Sequence, residues 1–312
     1  MPVYELEIQV RPAAARDLGR VLTLLDQARR RYVGFGREDL PNLLTHAAHA
    51  FVIAETGTFL WGIACATIRA RPAALNEPRE IVWSYLRGLA LTDGWRTEVG
   101  IWTLMEGLRV VLHDRQAEYL VSYVTPSWLE SPLAKVGMYP IDHLVTYEWI
   151  CDTVPAPSLP AETRLRPAHS DDVGALIALD TAAFPSLWRQ ATGELIELLM
   201  TSGRFTVAER EKTLVGYACS DVRRGLGQIY RLAVHPAFQG QGIGSALLAD
   251  ALTYCQAAGA GVVTVNTQQS NHASDRLYRR FGFRPMLQRV PVMVGKIAAD
   301  HWLSPDPSLA HF

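Results

Sequence analysis

The segment Gln239-Gly240-Gln241-Gly242-Ile243-Gly244 constrains this chain more than any other. It follows an apolar run, Ile229 to Val234, that reads as a buried strand broken by Pro236. Behind it comes a helical pattern from Ser245 to Leu252. A strand, a glycine loop and a helix start together present free backbone N–H groups and the positive end of the helix dipole, a natural seat for an anion. Glycines let a phosphate reach the backbone without meeting side chains. The spacing is Q-x-x-G-x-G. With no G-K-[ST] ending it is no nucleoside-triphosphate loop. Nor does it open a first βαβ unit with an acidic residue about 20 positions on, as a dinucleotide fold requires.

A second apolar strand, Val262 to Val265, follows, and then Asn271, Ser274, Leu277-Tyr278 and Gly282-Phe283. At this point the chain resembles the GNAT acyltransferase superfamily. That family's first motif is met by Leu232-Ala233-Val234-His235-Pro236 with Gln239 to Gly244. Its second, N-x-x-[AS]-x-x-L-Y-x-x-x-G-F, is filled from Asn271 to Phe283. The resemblance covers roughly residues 163–294. It implies an α/β fold with a mixed sheet flanked by helices, and acetyl-CoA as co-substrate.

The chain also repeats itself. Arg11-Pro12-Ala13 and Asp17 return as Arg166-Pro167-Ala168 and Asp172; Gly62-Ile63-Ala64-Cys65 returns as Gly216-Tyr217-Ala218-Cys219; Leu89-Ala90-Leu91 returns as Leu232-Ala233-Val234. The offsets fall from 166 − 11 = 155 to 232 − 89 = 143, so loop lengths differ while element order is kept. Asp152 to Pro160 contains three prolines and reads as a stiff linker. The expectation is two tandem GNAT-type domains, 1–152 and 161–312, joined by 153–160, in a layout similar to that of mycothiol synthases. The first copy looks degenerate: Arg96 to Ile101 replaces the glycine loop, or, one residue shifted, Trp102 takes the place of Gly244. Between Pro126 and Met138, Leu133 stands where the second copy has a tyrosine. Its expected role is structural or substrate-shaping.

With 312 residues and 49% hydrophobic content there is material for two domains. A net charge of 30 − 31 = −1 gives no general affinity for polyanions, so nucleic acid is not an expected partner. Four scattered cysteines without a C-x-x-C pair suit a reducing compartment, and no run reaches membrane-spanning length. A cytoplasmic enzyme with no metal is the expectation; oligomeric state is left open.

The resemblance implies roles in the second copy. Leu232, Ala233 and Val234 pair with the amides of the cofactor arm, and the Val234 N–H serves the oxyanion of acyl transfer. Gln239, Gly240, Gln241, Gly242, Ile243, Gly244 and Ser245 hold the pyrophosphate. Asn271 caps the helix opening at His272, and Tyr278 protonates the leaving thiolate. Two strand positions hold the usual glutamate base in related branches. Here they are Gln228 and Asn266, and amides take no proton. His235, His272, Glu194, Glu197 and Asp221 remain as titratable alternatives. Without a base in either place, a low-pKa amine is the favoured acceptor. An α-amine with pKa about 7.7–8.0 is roughly a tenth to a sixth neutral at pH 7, a lysine about one part in 2,500, a difference of about 3 kcal/mol. The expected function is N-acetyl transfer to a small-molecule or peptide α-amine, or an amino sugar. A non-catalytic acyl-CoA sensor is the alternative.

Overall fold

The computed structural model describes residues 8–74, 79–92, 97–150, 153–156, 159–306 and 308. The first half of the chain runs β1 (Ile8–Pro12), α1 (Leu18–Gln27), β2 (Arg30–Val33), α2 (Leu40–Thr45), β3 (His49–Thr56), β4 (Phe59–Arg71), β5 (Ile81–Leu91), α3 (Thr97–Asp114), β6 (Tyr119–Tyr123), α4 (Glu130–Val136) and β7 (Tyr139–Ile150). The second runs β8 (Thr163–Pro167), α5 (Val173–Ala183), α6 (Thr192–Thr201), β9 (Arg204–Arg210), β10 (Thr213–Arg223), β11 (Leu226–Val234), α7 (Ile243–Ala257), β12 (Val262–Gln268), α8 (His272–Arg280) and β13 (Arg284–Ile297). The order is the same in both halves except for β2, which has no strand counterpart in the second, and for a two-residue strand β14 (Trp302–Leu303) that pairs with β13.

The duplication extends to side-chain detail. Arg11 bonds Asp17 through Nη1 at 2.8 Å and Glu55 through Nε at 2.7 Å. Arg166 bonds Asp172 and Glu209 with the same atoms at the same distances. In each copy the carboxylate also accepts the N–H three residues before it, closing the turn that starts the first helix. Repeated charged networks of this kind, rather than hydrophobic similarity alone, mark the halves as copies of one fold.

The compact units cut the chain elsewhere than the expected 152 and 161. One comprises residues 1–70, 81–141 and 291–306, the other 71–80, 142–290 and 307–312. Strand pairing explains the difference. In the first unit β6 is followed across the sheet by β13, with Val294 opposite Val121. In the second, β12 pairs with β7, with Glu148 opposite Thr264. Each unit therefore takes a strand from the other half of the chain. Of the expected linker, Asp152, Pro157 and Ser158 lie outside the described residues, and 153–156 carry no regular structure.

The second unit is a mixed sheet in the order β8-β9-β10-β11-β12-β7, parallel only between β11 and β12. One face is packed by α7 and α8 through Leu248, Leu252, Cys255, Tyr278 and Phe281 against Ile229, Val263, Val265 and Trp149. The other is packed by α5 and α6 against Phe205, Val207, Tyr217 and Ala233. The described cysteines, Cys65, Cys219 and Cys255, are buried thiols; Cys151 lies outside the described residues. Among the described residues no group of His, Cys, Asp and Glu is arranged to hold a metal ion, and no helix is long and apolar enough to cross a membrane.

Candidate active site

The parallel pairing of β11 and β12 covers only Leu226 to Ile229 against Val262 to Val265. Beyond it the strands part. The divergence starts at a bulge, where Arg231 opposes Cys219 but Ile229 opposes Ser220, leaving Tyr230 as the extra residue. From Leu232 to Val234, β11 is paired on the β10 side alone. The His235 N–H bonds the Val215 carbonyl at 2.9 Å. Antiparallel alternation then turns the backbone groups of Ala233 toward β10 and those of Leu232 and Val234 toward the open side. Leu232 and Val234 thus offer a strand edge to an extended ligand, whereas Ala233 does not; its side chain is buried under α5 and α6.

The open edge runs into the glycine loop. Gly240 and Gly242 have φ of +74° and +89°, values that suit glycine, and Gly242 is the N-cap of α7. The first intrahelical bond is from the Ala246 N–H to Gly242, so the N–H groups of Ile243, Gly244 and Ser245 have no partner in the helix. The nearest atoms that a Cβ on Gly244 would meet belong to Leu277, Val234 and Leu232, at 3.5 Å or more. Leu232, Ala233, Val234, Gln239, Gly240, Gly242, Gly244, Ser245 and Asn271 all line one groove of about 1980 Å³. That is well above the size of a small-metabolite pocket and suits a long ligand. Gln241 and Ile243 are not among its lining residues. Gln241 is held by Arg210 at 3.1 Å, and Ile243 is buried beneath the loop. Gln239 bends back to donate to the Val234 carbonyl at 3.1 Å, tying loop to strand.

Asn271 is buried and accepts the Ser274 N–H at 3.0 Å, so it is the cap of α8. Sequence reasoning missed the groove's cations. Lys212 and Arg276 line it and have no hydrogen-bond or ion-pair partner among the described residues. Arg280, one turn after Arg276, reaches the hydroxyl of Ser245. The only sequence signal was two arginines four apart on a helix, which also describes a solvated face.

Tyr278 is not on the groove wall. It is 3% exposed, packed against Tyr147 and Phe283 with ring centroids 5.6 Å away in both cases. Burial pushes its phenol up to about 12, opposed by a hydrogen bond from Ser274. Ser274 itself does line the groove.

The titratable alternatives are largely engaged. Glu194 pairs with Arg71 and accepts the Ala191 N–H at 2.7 Å. Asp221 holds Arg223 and the Val222 N–H, both at 2.8 Å. His235 Nδ1 accepts the Ala237 N–H at 3.3 Å. His272 and Glu197 are exposed on helices. A different charged group is buried beside the groove. Asp180 Oδ1 accepts from Tyr217 at 2.5 Å and from Arg231 at 2.6 and 2.9 Å, and Oδ2 accepts the Gln190 N–H at 2.8 Å. Arg231 also holds the Trp188 carbonyl at 2.8 Å and stacks 3.5 Å above Phe184. The network pins the segment from Phe184 to Gln190 as a turn.

In the first unit the matching segment does something else. Thirty to thirty-three plus 155 is 185–188, so β2 occupies the place of that turn. There it pairs antiparallel with β5, Arg30 to Val33 against Leu91 to Gly88. Leu89 and Leu91 are the counterparts of Leu232 and Val234, so the edge that is free in the second unit is filled by the chain's own strand. The expected obstruction, Trp102, is instead 54% exposed on α3, and Arg96 lies outside the described residues.

A splayed parallel pair, a free edge at Leu232 and Val234, and a glycine-capped α7 are thus contiguous in one unit. Residues 173–283 match the acetyltransferase (GNAT) family. This stretch is a GNAT domain. The chain is 31% identical over 145 residues to a mycothiol acetyltransferase of Thermobispora bispora, covering 42% of this chain and 49% of that protein. Over 123 residues it is 26% identical to a Bacillus subtilis protein named as a candidate alanine N-acetyltransferase of ribosomal protein bS18, covering 39% of this chain and 80% of that one. The match spans about half the length of the mycothiol acetyltransferase. Among solved structures, a tandem GNAT protein of the clavulanic acid pathway aligns with TM-score 0.60 at 16% identity, covering 94% of this chain and 99% of that one. A GNAT structure from Sphaerobacter thermophilus aligns at 0.59, also at 16% identity, covering 93% and 96%. These share the fold.

Proposed function

We propose that this chain is an acetyl-CoA-dependent N-acetyltransferase with one active groove, in the second unit, and that its acceptor is a primary amine of low pKa. The observation that carries the reading is the contrast between the copies. The edge at Leu232 and Val234 is free beside a glycine loop, while its counterpart is occupied by β2. The first copy then serves as a structural partner. The donor set fits the group: edge N–H and C=O for the amides of the arm, the N–H groups at the start of α7 for the pyrophosphate, and Lys212, Arg276 and Arg280 for phosphate charge.

When bound, acetyl-CoA supplies a thioester carbonyl open to attack by an amine. The Val234 N–H, fixed on the open side before any reaction, is placed to donate to the oxygen that becomes negative, at no reorganisation cost. Ser274 and the buried Tyr278 form a donor pair on the α8 side for the departing sulfur. Phe184, Pro185 and Ala183 wall the groove near Ala233, where an acceptor must arrive. The α-amine preference rests on the roughly 3 kcal/mol cost of deprotonating a lysine instead. The names of the relatives, acetyltransferases of mycothiol and of a protein alanine, support an amine acceptor.

The test is acetyl-CoA consumption, read as released thiol, across a panel of amino-acid amides, short peptides and amino sugars at pH 7. Turnover with α-amines exceeding that with N-blocked lysine supports the reading; faster turnover of the ε-amine overturns the acceptor class.

A further inference from the structure

The proton acceptor absent from Gln228 and Asn266 has a candidate on a strand that belongs, by sequence, to the other half. At the closed end of the splay, Gln228 is in register with Thr264 on β12, and Thr264 with Glu148 on β7. Their neighbours Ile229, Val265 and Tyr147 are buried toward α7 and α8, so Gln228, Thr264 and Glu148 share the opposite face. Asn266, opposite Thr146, is in the next row of that face. The α5–α6 layer packs against this face only as far as Tyr230 on β11. Exposure of Gln228 and Asn266, and partial exposure of Thr264, Thr146 and Glu148, show the β12–β7 part to be open.

Glu148 is half-buried there and makes no hydrogen bond or ion pair with any described residue. A carboxylate whose side chain has no partner among the described residues and is diagonal to Asn266, at about 7–8 Å between backbones, stands next to one of the two base positions. On the β10 side the row ends in Asp221, opposite Gln228, a carboxylate already held by Arg223 and the Val222 N–H at 2.8 Å. The next strand over, β13, carries the charged Arg284 and Arg289, and Arg289 is bonded to Gln269 at 3.0 Å.

The first unit provides an internal control. The row Gln228–Thr264–Glu148 corresponds to Tyr85–Val121–Val294. Val294 and Val121 are fully buried, and Tyr85 stacks on Tyr123, the counterpart of Asn266, with centroids 6.4 Å apart. Where β2 fills the slot the row is apolar; where the slot is open it is polar and ends in a carboxylate.

We propose that Glu148 is the general base of acetyl transfer, accepting the ammonium proton directly or through one water. The proposal rests on the acetyltransferase reading above. One proton passes from the ammonium to Glu148 and then to solvent. The N–C bond forms, the C–S bond breaks, and the second N–H proton neutralises the departing thiolate. The strand exchange acquires a purpose: the first half of the chain completes the site of the second.

The experiment uses the full chain, acetyl-CoA, and the best amine of the panel, with wild type, Glu148→Gln, Glu148→Asp and the double variant Glu148→Gln/Asn266→Glu. Glu148→Gln is expected to keep its melting temperature and its affinity for acetyl-CoA. Its kcat should fall about 100-fold or more, and its kcat should become first order in hydroxide at pH values well below the amine's pKa of about 7.7–8.0, because the amine must then arrive neutral. Glu148→Asp should be intermediate, and Asn266→Glu in the Gln background should recover at least tenfold. Wild-type kcat and an unchanged pH profile in Glu148→Gln would overturn the assignment while leaving the acetyltransferase reading intact. Binding of acetyl-CoA without turnover of any amine by the wild type would overturn both.

Discussion

The buried Asp180–Arg231 pair supplies the sharpest energetic prediction, because it decides whether the segment between α5 and α6 is a turn or a strand. Asp180 is 1% exposed and accepts four hydrogen bonds, from Tyr217, Arg231 twice and the Gln190 N–H. Replacing Arg231 with Met leaves a buried carboxylate without its countercharge, and replacing Asp180 with Leu strands the guanidinium. Each should destabilise the protein by about 3–5 kcal/mol. Summed, that would be about 6–10 kcal/mol. The double variant Asp180→Leu/Arg231→Met removes both charges, which by itself is often close to neutral. It still orphans the Gln190 N–H and the buried Tyr217 hydroxyl, at about 1–3 kcal/mol each. The expected cost is therefore about 2–6 kcal/mol, below the singles' sum and so a coupling of several kcal/mol. Urea unfolding followed by tryptophan fluorescence measures the stabilities, and calorimetry of acetyl-CoA measures the groove. Affinity should fall at least fivefold in all three variants as Phe184 and Pro185 leave the wall. Additive single-variant costs, or full affinity in any variant, would refute the idea that this pair holds the groove open.

Three further outcomes are expected. Tyr278→Phe should lower kcat by about 10- to 100-fold with little change in acetyl-CoA affinity. Moving a proton from a phenol at about 12 to a thiolate of pKa about 8.5 would cost about 5 kcal/mol, so the buried Tyr278 contributes through its hydrogen bond with the groove-lining Ser274. A 10⁴-fold loss would show complete transfer instead. Gly242→Ala should cost about 1–2 kcal/mol in urea stability, because Ala must adopt a φ of +89°; an unchanged midpoint would show that the loop relaxes freely. Asp17, bonded to Arg11, has its carboxyl held down to about 2, against 3.8 for the free side chain. The depressed pKa adds about 2 kcal/mol of stability above pH 4, lost as pH falls from 4 through 2. Asp17→Asn should abolish that part of the pH dependence, as followed by thermal melts between pH 2 and 5.

The sequence carried the glycine loop, the Asn271 cap and the repeat because each is local or self-similar. The spacing of glycines names the helix start, and N-x-x-S names a cap three residues ahead of Ser274. Strand partners are another matter. Arg30-Arg31-Tyr32-Val33 has nothing in its pattern to say that it pairs with Leu91 to Gly88, 55 to 61 residues on. The exchange of β7 and β13 is equally silent, since each strand reads the same whichever sheet accepts it. Ala233 was assigned a pairing role with its neighbours, but alternation along a strand turns every second residue away, and only the register to β10 fixes which. Tyr278 illustrates the same limit. Its place in the motif was legible, whereas its burial between Tyr147 and Phe283 depends on a strand from the opposite half.

The central claim is that one copy of a duplicated fold keeps an open acyl-CoA groove while the other is closed by β2. Calorimetric titration of the full chain with acetyl-CoA tests it most directly. One site per chain is the predicted stoichiometry, and it should vanish on replacing Gly242 and Gly244 together with Val. Two sites per chain would contradict the closed first copy, and no binding would contradict the open second one.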